Sequence, residues 1–190
     1  MNVALIPCAA SEWRAEGRLL GRTELESLPG ARAQCESWIE SLRPLQLARI
    51  LHGPDGLSRQ AAEWLAAGLR TQTRELAELE EVDIGLWAGL TEEQLESRFE
   101  SAFHELKDAP LNVNPPDGEG LHDAVRRLRR TLRKRITPNA KASIGLVLRP
   151  VTLAIVRWLL SGAPTASIWE SITGVNTPVT IEVKDAAPKP

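Results

Sequence analysis

The sequence predicts an α/β domain with three layers, in which helices cover both faces of a mainly parallel sheet. Short apolar runs that suit buried strands recur along the 190 residues, and helical patterns separate them. Glycine or proline ends most of these runs, as expected where a strand turns into a loop. Because parallel strands need a crossover connection, usually a helix, this alternation favours an α/β sheet.

Each element follows from the spacing of its apolar residues. Strands are predicted at 3–6, 47–51, 143–148 and 179–183, with a further short strand within 76–84. Helices are predicted at 31–42, 58–69, 91–106, 120–136 and 151–160. Ser58 and Thr91 are the expected N-caps of their helices, because their hydroxyl groups can accept a bond from a free backbone N–H.

The length of the chain suits one domain, and we predict that it spans residues 1–190. Residues 86–118 contain helix and loop patterns without a strand, so we expect a small cap over the carboxyl edge of the sheet. With the next helix, this cap extends over residues 86–136. The tail at 184–190 is predicted to fray, because it is short, polar and rich in proline.

Composition restricts the partners. The formal net charge of −2 creates no general field for nucleic acid or an anionic membrane. The basic run within 126–135 falls on a helical pattern, so it is expected to form a solvated helix face. The apolar stretch 144–160 is interrupted by Arg149, Pro150 and Arg157, and it is too short to span a bilayer. Two cysteines form neither a disulfide framework nor a metal cluster. We therefore expect a cytoplasmic protein without a metal or cofactor, and without nucleic-acid or membrane partners.

The first loop carries the most informative pattern. The segment LIPCAASEWR at 5–14 resembles the L-I-R-H-G-E-T-x-W-N that ends the first strand in the histidine phosphatase superfamily, the phosphoglycerate mutase-like proteins. Later segments resemble motifs of this family in the same order. They are GRLLGRTE at 17–24, GP at 53–54 with QAA at 60–62, LEE at 79–81 with GLWAG at 85–89, PDGE at 116–119, and VLRP at 147–150. Residues 171–176 loosely match the closing strands of the family.

The resemblance implies that most of the family's catalytic residues are replaced here. The phosphate-binding arginine and the phosphorylated histidine fall at Pro7 and Cys8, and the second arginine falls at Leu57. The second histidine falls at Arg149, whereas Glu81 keeps the position of the usual proton donor. Phosphoryl transfer needs a nucleophile in line and positive charge around the equatorial oxygens. The resemblance therefore implies a catalytically degenerate protein that acts as a binding or regulatory module.

Two enzymatic alternatives stay open. The chain could be an active phosphatase or phosphomutase that uses an altered site. One such site would be built from Cys8 and Arg14, whose C-x5-R spacing is that of cysteine-dependent phosphatases, in which a thiolate attacks and the arginine holds phosphate. The loop between them lacks the glycine that would let its backbone N–H groups turn towards an anion. It also contains Glu12, whose negative charge disfavours a bound anion.

A residual anion site is the remaining candidate. Arg14, Arg22 and Arg149 could converge on a small anionic or phosphorylated ligand, without turnover. The alternative is that they pair with Glu12, Glu81 or Glu119. A protein is the other partner that the sequence allows.

Overall fold

A computed structural model describes residues 1–136 and 142–183 of the chain. The strands are β1 (Asn2–Pro7), β2 (Leu47–His52), β3 (Thr73–Glu75), β4 (Ser143–Leu148) and β5 (Val179–Glu182). The helices are α1 (Glu12–Ala15), α2 (Ala31–Ser37), α3 (Ile39–Leu42), α4 (Gly56–Leu69), α5 (Glu92–Arg98), α6 (Glu100–Asp108), α7 (Leu121–Arg135), α8 (Pro150–Ser161) and α9 (Ser167–Gly174). Short 3₁₀ helices lie at Arg43–Leu45, Ala77–Leu79, Gly85–Trp87 and Pro110–Asn112. No helix in the described ranges has the length and apolar character needed to cross a membrane.

The strands form a single sheet in the order β3-β2-β4-β1-β5. The pairs formed by β1, β2, β3 and β4 are parallel, and β5 runs antiparallel to β1. Pro7 lies opposite Leu148 in the register, and His52 lies opposite Val147. The carboxyl ends of β1, β2 and β4 therefore meet at one edge of the sheet, which is where open α/β sheets bind ligands.

Helices cover both faces of the sheet, which confirms the predicted three-layer α/β/α class. On one face, Leu5, Leu51 and Leu146 share a core cluster with residues of α7 and α8. On the other face, Ile6 and Ile50 share a cluster with residues of α2 and α4. Successive side chains of a strand point to opposite faces. The continuous apolar runs of β1 and β4 follow from burial on both sides.

Two of the predicted helices are each interrupted once. The helix predicted at 31–42 divides at Trp38 into α2 and α3, and the one predicted at 91–106 divides at Phe99 into α5 and α6. The break at Phe99 has a non-helical backbone, with φ −137° and ψ 44°. Thr91 caps α5 as predicted. Its hydroxyl accepts a bond from the Gln94 N–H while the Gln94 side chain accepts one from the Thr91 N–H.

Three predicted features differ in the structure. The strand predicted within 76–84 is absent, because the edge strand β3 ends before it and residues 77–79 form a 3₁₀ turn. Ser58 does not cap α4. Asp55 does so, because its Oδ1 accepts a bond from the Ser58 N–H at 3.0 Å, and the helix begins at Gly56. Residues 171–174 belong to α9 rather than to a closing strand, and Ile172 buries its side chain from that helix.

The region 86–136 contains α5, α6, α7 and 3₁₀ turns. Its start is fixed by a close backbone approach at Gly85, where φ is +50° and a Cβ atom would lie 2.0 Å from the carbonyl oxygen of Pro116. The same carbonyl accepts a bond from the Leu86 N–H at 3.0 Å. Treating this region as a separate cap stays a prediction. The tail predicted to fray, 184–190, lies outside the described residues.

Candidate active site

The structure brings together the five positions that the resemblance assigns to chemistry. Pro7 ends β1, Arg149 follows β4, and the Cys8 N–H donates to the Leu148 carbonyl oxygen at 3.0 Å, which extends the β1–β4 ladder by one residue. Leu57 lies in the first turn of α4, and Glu81 packs on the first turn of α8. All five side chains are buried. The five positions therefore lie close together at the carboxyl edge of the sheet.

Apolar contact fills the part of this site around Cys8. Cys8, Ala9 and Leu57 belong to the same core cluster, and the side chain of Leu57 is only 1% exposed. The Ala9 N–H donates to the Leu57 carbonyl oxygen at 3.2 Å. Pro7 has no N–H to offer. Two backbone N–H groups of the first loop are thus used for internal bonds rather than aimed at a ligand.

The Cys8 thiol is held in its neutral form. Burial is the largest cause, and the nearby charge of Asp55 the next, of a pKa that is raised to about 12. Arg149 and Arg14 lower this pKa, but their effects are smaller than that of burial. At neutral pH the thiolate fraction is on the order of 10⁻⁵, whereas a reactive cysteine needs a lowered pKa.

Glu81 is the most highly bonded side chain of the site. Its Oε1 accepts bonds from the N–H of Val82 at 2.8 Å and of Thr152 at 2.7 Å, and from the Thr152 hydroxyl at 2.7 Å. Its Oε2 accepts a bond from the Val151 N–H at 3.0 Å. Val151 and Thr152 lie in the first turn of α8, whose own N-cap, Arg149, makes no side-chain capping bond. Glu81 therefore caps this helix from a distant part of the chain.

Two opposing effects act on the carboxyl group of Glu81. Burial raises its pKa, because the charged form loses its hydration. The bond from Thr152, the charge of Arg149 and the backbone bonds lower the pKa, but the net direction is upward. Oε1 accepts three of these bonds and Oε2 accepts one, so Oε2 is the oxygen with room for a proton.

Arg149 is buried and only partly satisfied. Its side chain is 2% exposed, and one terminal nitrogen donates to the Thr23 carbonyl oxygen at 2.9 Å. Its Nε makes no hydrogen bond within the described residues. Arg149 and Arg22 line a cavity of about 140 Å³, which is also lined by Glu24, Asp55, Glu80 and Glu81. Carboxylates thus outnumber guanidinium groups around this cavity.

Arg14 lines a different cavity from Arg22 and Arg149, although its charge, like that of Arg149, acts on Cys8. Its guanidinium group donates to the carbonyl oxygens of Ile172 and Val175, both at 2.9 Å, and to Oδ1 of Asn176 at 3.0 Å. These acceptors lie at the carboxyl end of α9, where a cation also interacts favourably with the helix dipole. These bonds anchor the end of a helix, and the convergence of the three arginines on one anion stays a prediction.

Arg22 is held by the segment that carries Glu81. Its Nε donates to the Glu81 carbonyl oxygen at 2.8 Å, and its Nη2 lies 3.3 Å from Glu80 and 3.4 Å from Glu119. Glu119 is also the partner of Arg127, which donates to both of its carboxylate oxygens at 3.0 and 2.8 Å. The pairing of Arg22 with Glu119 is one of the alternatives that the sequence leaves open.

Sequence reasoning missed two residues that shape the site. Asp55 is 9% exposed and its Oδ2 has no partner within the described residues, while its charge acts on Cys8. Thr152 supplies two of the four bonds to Glu81. An acid three residues before Ser58 was a usable signal for the cap at Asp55. Within residues 1–136 and 142–183, no group of three His, Cys, Asp or Glu side chains could hold a metal ion.

Comparison with known proteins agrees with this architecture. A sequence profile of the histidine phosphatase superfamily (branch 1) matches residues 5–187, so the chain belongs to that family. A comparison with curated protein sequences found no match.

Solved structures with the same fold come from several bacteria. YhfR of Bacillus stearothermophilus superposes with a TM-score of 0.79 at 19% identity, covering 98% of this chain and 93% of that one. A mycobacterial glucosyl-3-phosphoglycerate phosphatase has a TM-score of 0.76 at 17% identity, with coverage of 94% and 90%. TTHB049 from Thermus thermophilus has a TM-score of 0.66 at 26% identity, with coverage of 84% and 85%. At such identities the likeness concerns the fold.

Proposed function

We propose that the chain is a catalytically degenerate histidine-phosphatase-like protein that works as a binding or regulatory module in the cytoplasm. The observation that carries this proposal is the position of the Glu81 carboxylate on the first turn of α8. The N-terminus of a helix is a natural place for a phosphate, because its N–H groups and its dipole favour an anion. Here the N–H groups of Val151 and Thr152 already bind a carboxyl group that belongs to the chain.

The environment of the nucleophile position supports the same conclusion. Catalysis by Cys8 would need a thiolate, yet burial holds its pKa near 12. The arginine that would hold phosphate in a cysteine-dependent mechanism, Arg14, donates to Ile172, Val175 and Asn176. A phosphate beside Cys8 would also lie against Leu57, which offers it no hydrogen bond.

The ligand of such a module is a second part of the proposal. Arg22 and Arg149 share the cavity at Glu81, and Nε of Arg149 has a donor left over. The four carboxylates around them oppose a doubly charged phosphate. If a small anion binds there, it is therefore a weakly charged one that Arg149 holds. A protein partner remains the other candidate for the module.

The experiment is hydrolysis of a generic aryl phosphate by wild-type protein and by Cys8→Ser, both freshly reduced and free of metal. We expect no release of product above a control without protein in either case. Activity that disappears in Cys8→Ser would reject the proposal and favour the cysteine mechanism. Activity that survives in Cys8→Ser would favour a phosphatase or phosphomutase with a site elsewhere. A parallel titration with vanadate, monitored as a rise in the thermal midpoint of unfolding, would detect a site that binds an anion without turnover.

A further inference from the structure

A second concave site lies at the opposite edge of the sheet, where the strands begin. It is a cavity of about 310 Å³ between the amino ends of β2 and β4, the edge strand β3 and the last turn of α7. Leu51 and Ile144 form its apolar floor, and they belong to the core cluster beneath α7. Four cationic side chains line it: Arg49, Arg74, Lys134 and Arg135. We refer to these four residues and their floor as the basic groove.

The register of the sheet explains why these charges meet. Arg49 and Leu51 are two residues apart on β2, so their side chains project from the same face of the sheet. Arg74 lies opposite Leu51 on β3, and Ile144 lies opposite Arg49 on β4. α7 covers that face, and its last turn brings Lys134 and Arg135 to the same place. The groove is thus assembled from separate elements of the fold.

No residue in the described part of the chain neutralises the charges of the basic groove. None of the four cations has an ion pair or hydrogen bond to a described residue, and no acidic side chain of the described ranges lines the cavity. In contrast, Arg22, Arg59 and Arg127 each pair with a glutamate. The carboxyl end of α7 accounts for a cation at Lys134 or Arg135, but it does not account for Arg49 or Arg74, which lie on strands.

A concave surface with charges of one sign concentrates the potential and attracts a ligand of the opposite sign. The volume lies at the lower end of the range for small-molecule sites, which is about 300–1,000 Å³. Four cations match a ligand with several negative charges, and guanidinium groups suit phosphate oxygens because they donate in pairs. A single carboxylate would leave most of the charge unmatched.

We propose that the basic groove binds a small molecule that carries two or more clustered phosphate groups. This site is separate from the one at Glu81, since the two lie at opposite edges of the sheet. The proposal therefore stands whether or not the chain hydrolyses phosphate esters.

The test is calorimetric titration of the whole chain with inorganic tripolyphosphate, at about 50 mM salt so that screening is weak. We expect binding with one ligand per chain, and at least tenfold weaker binding in Arg49→Gln/Arg74→Gln, because two charge-assisted contacts are lost. Arg32→Gln/Arg43→Gln is the matched control. It removes the same charge from exposed helix positions that pair with Glu36 and Glu40, and it should change the affinity less than twofold.

Lys134→Gln/Arg135→Gln is the second variant. It tests the same groove from α7 if Arg49→Gln/Arg74→Gln, which changes two strands, does not fold. Circular dichroism and the thermal midpoint report folding for each protein. Absence of tripolyphosphate binding by the wild type would overturn the proposal, as would an equal loss in the control. A single-stranded oligonucleotide of about 20 nucleotides that binds more tightly than tripolyphosphate would also overturn it, because the groove would then be part of a nucleic-acid surface.

Discussion

The sharpest test of the candidate site is the substitution Glu81→Gln. It keeps the size of the side chain but replaces one acceptor oxygen with an NH₂ group, which cannot receive a bond. Glu81 accepts from three backbone N–H groups and one hydroxyl in the buried interior. If the amide oxygen takes the place of Oε1, it keeps the three bonds made there, and the NH₂ group takes the place of Oε2 and faces the Val151 N–H. Two buried donors, this N–H and the new NH₂, are then unpaired, at about 1–3 kcal/mol each.

Relief of the buried charge offsets part of this loss, so we expect the free energy of unfolding to fall by about 2–4 kcal/mol. For a domain of this size that corresponds to a fall in Tm of roughly 5–15 °C. The assay is urea unfolding followed by tryptophan fluorescence, with a thermal scan alongside. The matched control is Glu80→Gln, whose side chain is 44% exposed and lies 3.3 Å from Arg22. It should cost less than about 1 kcal/mol. Equal stability of the two variants would refute the capping role of Glu81.

Three further predictions concern pH, backbone geometry and thiol reactivity. Because burial raises the pKa of Glu81 above its ordinary value of 4.5, the folded chain binds a proton more tightly than the unfolded chain. The free energy of unfolding should therefore fall as pH rises from 4.5 through the raised pKa of Glu81. This pH dependence should be absent in Glu81→Gln. If it is unchanged in that variant, Glu81 is not the group that causes it. Gly85→Ala should destabilise the chain by about 3 kcal/mol or more, because its Cβ would lie 2.0 Å from the Pro116 carbonyl oxygen. The control is Gly17→Ala, where φ is +71° and no atom lies within 4 Å of the added Cβ, so it should cost about 1 kcal/mol. If urea unfolding shows equal losses of stability for the two variants, the Pro116 backbone moves aside for the added methyl group. At pH 8, Cys8 should react with iodoacetamide about a thousandfold more slowly in the folded chain than in urea, given its pKa of about 12 against an ordinary 9.0. The rate of modification of Cys8 is measured by mass spectrometry. Comparable rates in the folded and the unfolded chain would mean that the thiol is accessible and activated.

The sequence predicts the inner strands well and the edge of the sheet poorly. β1 and β4 are buried on both faces, so each is a continuous apolar run that a local pattern reveals. β3 is three residues long, with Arg74 and Glu75 exposed, and it is held by backbone bonds to β2. Such bonds leave no trace in the side chains. The apolar pattern therefore predicts the strand a few residues too late, at residues that instead pack in the core.

The position of the candidate site can be predicted from the sequence, whereas its contacts cannot. The order of the family motifs is enough to place Cys8, Glu81 and Arg149 at one edge of the sheet. The acceptors of Arg14 are main-chain carbonyls that lie 158 and 161 residues further along the chain. Carbonyl groups are present at every residue, so no spacing identifies the ones that a guanidinium will reach. The same holds for Glu81, whose donors are mostly backbone N–H groups.

The place of β1 in the sheet has a consequence for the order of assembly during synthesis. β1 is made before the other strands of the sheet, yet its partners within the described residues are β4 and β5, which begin at Ser143 and Val179. At roughly 5–20 residues per second, the ribosome takes about 7–30 s to reach β4 after completing β1. During that time the apolar run Val3–Ile6 has no strand to join, so it is exposed to other chains and to chaperones. Pairs so distant in the sequence also slow folding after release.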